Sequence, residues 1–144
     1  MNILFVCGGN TCRSPMTKVI FEQIHSKEIA AGEIKTDSAA YDWPSNHEAS
    51  IGARHAIKNL FGRDLLQGHV PKKLTKGLIE WADTILVMKG HMKKGMPPTK
   101  TKTLREYAGE TGDIPDPWRQ SDGVYLQCAK EIKRLLEIAF QDSA

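Results

Sequence analysis

The sequence predicts an α/β fold, a parallel sheet covered by helices. Two apolar runs have strand composition, Ile3-Leu4-Phe5-Val6 and Thr84-Ile85-Leu86-Val87-Met88. Neither alternates polar with apolar residues, as expected of strands buried on both faces. Between and after these runs, apolar residues recur at helical spacing. Strands alternating with helices build parallel sheets, and such sheets bind ligands at the carboxyl ends of their strands.

Taken in order, residues 1–6 read as a central strand. A helix follows, with Val19, Ile20, Phe21 and Ile24 on its apolar stripe, Ser14 or Thr11 as its cap and Pro15 in its first turn, where a missing N–H costs nothing. Gly32 ends this region. Residues 33–38 form a partly polar strand suited to a sheet edge. Residues 41–50 are rich in Asp, Pro, Ser and Asn and read as a loop. Its two aromatics, Tyr41 and Trp43, either fold onto the core or wall a cleft. Ile51, Ala53, Ile57, Leu60 and Phe61 fit a helix closed by a left-handed Gly62. Thr75 caps a short helix carrying Leu78, Ile79 and Trp81. Residues 84–88 form the next strand, and a Pro- and Lys-rich connection leads to a short one at 102–104. Residues 124–140, with Ile132, Leu135, Leu136, Ala139 and Phe140, form a long closing helix. The lysines at 89, 93, 94, 100 and 102 read as a solvated face.

Composition sets outer bounds. A chain of 144 residues, 40% apolar and 26% charged, fits one soluble domain spanning residues 1–144. No run approaches the ~20 apolar residues of a membrane span. The first apolar run is too short for a signal peptide and has no basic region before it. Three cysteines imply no disulfide framework. A net charge of +3 suits an anionic substrate and is no nucleic-acid signature.

The densest chemistry lies in Val6-Cys7-Gly8-Gly9-Asn10-Thr11-Cys12-Arg13-Ser14-Pro15. A strand precedes it and a helix follows, so its backbone N–H groups converge at a helix N-terminus, an anion site. Gly8 and Gly9 permit a positive-φ or crowded backbone. Arg13 adds a bidentate cation suited to phosphate. In that field Cys7 loses its proton easily. The competing reading is an αβ turn holding a structural cysteine, and the Cys–Arg spacing alone does not separate the two.

Residues 7–15 resemble the phosphate-binding loop of the low-molecular-weight protein tyrosine phosphatases, C-x-G-N-x-C-R-S-P, at every fixed position. Asp37-Ser38-Ala39-Ala40, Gly68-His69-Val70 and Asp113-Ile114-Pro115-Asp116-Pro117 are similar to that family's later segments, so the resemblance spans nearly the whole chain. It implies a three-layer sandwich around a four-stranded parallel sheet in the order 2-1-3-4, with helices on both faces. It also implies a protein tyrosine phosphatase that hydrolyses phosphotyrosine through a phosphocysteine and needs neither metal nor cofactor. Cys7 is then the nucleophile, Arg13 the phosphate receptor and Asp116 the general acid. Asp113 ranks second as acid because no proline follows it. Gly8, Gly9, Asn10, Thr11, Cys12, Arg13 and Ser14 cradle the phosphate. Ser14, whose hydroxyl can donate to the Cys7 thiolate and help it leave, supports the loop with Asn10, His69 and Ser38, and Tyr41, Trp43 and Trp118 wall the substrate pocket. Cys12 either traps an oxidised Cys7 as a disulfide or is a small buried side chain. Cys128 reads as inert core. The implied partners are phosphorylated proteins or peptides, with no nucleic acid or membrane. The implied state is a monomer in the reducing cytoplasm.

Two departures bear on substrate. Trp118 and Arg119 stand where many members carry two tyrosines, and Lys89 where some carry an acid. Thr11 occupies a position at which tyrosine-directed members tend to have a larger aliphatic residue. Threonine there resembles the protein arginine phosphatases of the same fold, which makes phosphoarginine the alternative substrate. An arsenate reductase would need relay cysteines, and none lies between Cys12 and Cys128. A catalytically dead phosphate-binding module would not need Cys7, Arg13 and Asp116 together.

Overall fold

The computed structural model describes residues 1–44 and 46–141. Strands β1 (Asn2–Cys7), β2 (Lys35–Ala40), β3 (Thr84–Val87) and β4 (Thr101–Thr103) form one parallel sheet in the order β2-β1-β3-β4. β1 is paired on both sides, from Asn2–Lys35 to Cys7–Ala40 and from Ile3–Thr84 to Val6–Val87. The loop after Cys7 therefore leaves a fixed central strand, with β2 at the sheet edge.

Both faces of β1 are buried, which explains its unbroken apolar run. Pleating turns Ile3, Phe5 and Cys7 toward one core and Leu4 and Val6 toward the other. The first core is closed by α1 (Arg13–Ile24), α3 (Ile51–Phe61) and α6 (Asp122–Ala139). The second is closed by α4 (Lys76–Trp81) and the 3-10 turn Gly90–Lys93. On α6, Tyr125, Ala129, Ile132, Leu135 and Leu136 face the core at the predicted spacing.

Hydroxyl caps and glycines set most boundaries. Ser50, Thr75 and Ser121 each accept a backbone N–H in the first turn of α3, α4 and α6. Ser121 starts the last helix at Asp122, two residues before the expected Val124. Gly62 ends α3 at φ +76° and Gly32 turns at φ +74°. Leu104 is not the end of a strand as expected. It opens a short helix, α5 (Leu104–Tyr107), because Thr103 Oγ accepts from the Glu106 amide while the Glu106 carboxylate accepts from the Thr103 amide. The first helical region is split at His25 into α1 and α2 (Ser26–Ala30). β2 runs two residues later than predicted.

One expected cap is corrected. Neither Ser14 nor Thr11 caps α1: the N-cap is Cys12, whose side chain accepts no amide of the first turn, and Ser14 lies inside that turn. Its hydroxyl is engaged by Cys7 and Asn10 instead. The lysine face is also partly structural. Lys100 Nζ donates to the carbonyls of Ile79 and Ala82, and Lys93 pairs with Glu106. Among the described residues, no helix is long and apolar enough to cross a membrane.

Candidate active site

A cleft of about 220 Å³ opens at the carboxyl end of β1, lined by Gly8, Gly9, Thr11, Asp42, Asn46, Asp116 and Trp118. Its floor is the loop from Cys7 to α1. The Tyr41, Asp42 and Ser50 amides donate to the carbonyls of Cys7, Gly8 and Thr11, so the neighbouring segment braces that loop. Among the described residues, the amides of Gly8, Gly9, Asn10, Thr11 and Cys12 donate to no protein acceptor. Donors kept unpaired in a largely buried loop are costly unless an anion or water takes them up.

The left-handed residue of this loop is Asn10, at φ +55°, and not Gly8 or Gly9. Asn tolerates that region better than most residues, and here its side chain is tied down. Its Nδ2 donates to Ser14 Oγ at 2.8 Å and to Ser38 Oγ at 3.0 Å, and its Oδ1 accepts the Lys72 amide at 3.1 Å. Its carbonyl accepts from His69 Nε2 at 2.9 Å, which requires the proton on Nε2. Burial holds the His69 pKa below its usual 6.5. A Cβ on Gly8 would meet Asp42 and Arg13 only at ordinary contact distance, so the glycines leave the floor bare rather than relieve strain.

Cys7 is 2% exposed, and its Sγ lies 2.9 Å from Ser14 Oγ. Because Ser14 Oγ already accepts from Asn10, its own hydrogen is available to the sulfur. Arg13 is 3% exposed. Its Nη1 donates to the Ile114 carbonyl at 2.9 Å, and its Nη2 lies 3.5 Å from Asp116 Oδ2. Its buried Nε has no partner among the described residues.

Asp116 stands on the opposite wall with its side chain 43% exposed. Its Oδ1 accepts the Trp118 amide at 3.1 Å. Trp118 lines the cleft, with the Arg119 guanidinium 4.3 Å over its ring. Asp113 is not among the cleft residues. Its carboxylate accepts the Gly90 amide at 2.8 Å.

The remaining predicted residues divide. Cys12 Sγ lies 3.2 Å from Ser50 Oγ and 3.5 Å from the Tyr125 hydroxyl, and burial pushes that phenol up to about 12. The cleft takes Asp42 and Asn46 from the 41–50 segment, and not its aromatics. Tyr41 bonds the Lys94 carbonyl and meets His91 edge-on, while Trp43 is 80% exposed beside Lys73. The sequence signal missed here is the polar pair in the same loop, Asp42 between the two aromatics and Asn46 after them. Cys128 is half-buried rather than fully core. It lines a cavity of about 520 Å³ between the Asp116 segment and α6, and burial lifts its thiol to about 12.

The family model for low molecular weight phosphotyrosine protein phosphatase matches residues 2–142. The chain is 36% identical to a protein-arginine-phosphatase of Bacillus subtilis, over 94% of this chain and 92% of that protein. It is 31% identical to a low molecular weight protein-tyrosine-phosphatase, Ptp, of Acinetobacter johnsonii, over 86% and 84%. The solved low molecular weight protein tyrosine phosphatase of T. tengcongensis superposes with a TM-score of 0.87 at 33% identity, covering 98% of each chain. The sheet order, the loop between β1 and α1 and these likenesses agree: the chain belongs to the low molecular weight phosphotyrosine protein phosphatase family.

Proposed function

We propose that the protein is a protein tyrosine phosphatase that works through a phosphocysteine at Cys7. The observation that carries this reading is the convergence on Arg13. One buried guanidinium, its Nε without a partner among the described residues, joins the nucleophile's loop to the carboxylate of Asp116 across the cleft.

The chemistry follows from the charges. The loop amides and Arg13 bind the non-bridging oxygens of the phosphate, more tightly as charge builds in the transition state. The Cys7 thiolate attacks phosphorus in line, forming the S–P bond as the ester P–O bond breaks. Asp116 gives its proton to the departing oxygen. Water then attacks the phosphocysteine, Asp116 takes its proton, and the thiolate leaves with the Ser14 hydroxyl directed at it. Asn10, Ser38 and His69 hold the loop. Cys12 serves as phosphate-loop backbone and as a second thiol on the loop of Cys7, there to cap its oxidised form. Trp118 offers a flat wall to a phenyl ring. Tyr41 and Trp43 then act only at the outer rim. We read residues 1–144 as one catalytic domain, a monomer acting on phosphorylated proteins or peptides in the cytoplasm, where thiols stay reduced.

Phosphoarginine is a second reading, favoured by Thr11 lining the cleft and by the similarity to a protein-arginine-phosphatase. The deciding experiment measures hydrolysis of phosphotyrosine and phosphoarginine peptides side by side, in reductant, for wild type and Thr11→Ile. Faster phosphotyrosine turnover in both proteins supports the main reading. A phosphoarginine preference lost in Thr11→Ile moves the protein to the second. No turnover of either peptide overturns both.

A further inference from the structure

The segment carrying Asp116 is exposed, yet an acid must sit at a fixed height above the phosphate to protonate the departing oxygen. Contacts at the cleft do not fix that height. Among the described residues, Asp116 bonds within its own segment, to the Trp118 amide and the Gln120 side chain, and pairs with Arg13 at 3.5 Å. The anchorage lies three residues upstream. Asp113 Oδ1 accepts the Gly90 amide just past β3, and the Asp113 carbonyl accepts from Arg105 Nε at 3.0 Å. The same guanidinium donates through Nη1 to Glu110 at 3.2 Å and Glu131 at 2.9 Å. Arg134 closes the ring by bonding both glutamates. Next in sequence, the buried Ile114 donates its amide to the Met88 carbonyl and offers its own carbonyl to Arg13. Pro115 then restricts the backbone between Ile114 and Asp116.

We propose that Asp113 and Arg105 are positioning residues for the reaction: they lash the base of the acid-bearing segment to β3 and α6 and so set the height of Asp116. This rests on Asp116 being the general acid. It also accounts for Asp113, whose carboxylate bonds the Gly90 amide and does not line the cleft, and so acts as a latch, whereas Asp116 lines the cleft.

The test is leaving-group dependence. kcat/KM covers the steps through phosphocysteine formation, in which a poor leaving group needs the proton and p-nitrophenolate hardly does. The ratio of kcat/KM for phenyl phosphate to that for p-nitrophenyl phosphate is compared among variants. Asp116→Asn should lower it about a hundredfold. Asp113→Ala and Arg105→Met should each lower it about five- to tenfold, the cost of a misplaced acid. Asp113→Asn keeps an oxygen acceptor for Gly90 and should restore the ratio. Arg134→Met cuts the exposed side of the ring without touching the segment and should leave it unchanged. If Asp113→Ala does not fold, Arg105→Met against Arg134→Met carries the comparison. Equal loss on both substrates in Asp113→Ala and Arg105→Met, with the ratio shifted only by Asp116→Asn, overturns the proposal. A ratio unmoved by Asp116→Asn instead overturns the assignment of the acid, and the proposal with it.

Discussion

The two loops that meet at Arg13 are held in opposite ways. The phosphate loop is buried and locked by a side-chain network, its own Asn10 and Ser14 bonding each other while Ser38 and His69 bond Asn10 from behind. The Asp113–Trp118 segment is exposed over much of its length and held from outside, by the Gly90 amide, Arg105 and Arg13. An anion receptor must present many donors at once, which rewards a rigid, dry cradle. An acid must approach the leaving group and then admit water, which tolerates an exposed wall. Damage to the first loop should therefore cost both stability and turnover, and damage to the second turnover alone.

The largest effect tests the receptor. Cys7→Ser should keep the fold and abolish hydrolysis of a phosphotyrosine peptide, by ~10⁵-fold or more, as expected when a nucleophile is removed. Residual turnover within a hundredfold of wild type would place the nucleophile elsewhere. Next is Asp116→Asn, expected to slow the same peptide by about 10²- to 10³-fold while phosphate still protects the protein in thermal melts. Equal loss of phosphate protection would mean that the second loop helps build the receptor, and the contrast would fail.

A smaller effect tests stability. Asn10→Ala removes three side-chain hydrogen bonds in a buried loop and places alanine at φ +55°. A loss of about 2–4 kcal/mol is expected, seen as a lower midpoint in urea or heat. Trp118→Ala, on the exposed segment, should stay within about 0.5 kcal/mol. Equal losses would erase the distinction between the loops.

How much of this was legible in the sequence follows the same division. The phosphate loop is local: strand, turn, Cys, Arg and helix are consecutive, so composition and order place them. The unbroken apolar runs identified the strands because burial on both faces leaves no alternation. What the sequence hid was long-range or cooperative. Asn10 as the left-handed residue was masked by two adjacent glycines, and its hold comes from Ser38 and Lys72, far along the chain. Ser14 read both as a cap and as a donor to Cys7; the fold keeps the second role, and adds the bond from Asn10 that the sequence hid. Gly52 gave no signal, although Tyr125 of α6 packs directly on its bare backbone. Tyr41 and Trp43 were prominent by type, but side-chain direction in an irregular loop follows no period. Asp42 and Asn46 reach the cleft instead.

The smallest effect separates the loops by pH. His69 braces the first loop, and its pKa in the folded protein lies below the usual 6.5, burial being the main cause. Its bond to the Asn10 carbonyl survives protonation, since Nε2 carries its proton in both forms. The desolvated charge is what the folded state disfavours. Below pH 6.5 the unfolded chain binds the proton first, so the unfolded state gains and stability falls with pH. The His69 contribution is fully present above 6.5 and is lost as pH drops through the folded value. In His69→Gln, whose amide can still donate to Asn10, that part of the slope should vanish. Thermal melts from pH 7.5 down to about 5 should then show wild type and variant nearly parallel above 6.5 and diverging below it, with wild type losing more. Phosphate binding by wild type should weaken over the same window if His69 steadies the receptor. Identical slopes would show that His69 is not buried enough for its charge to matter.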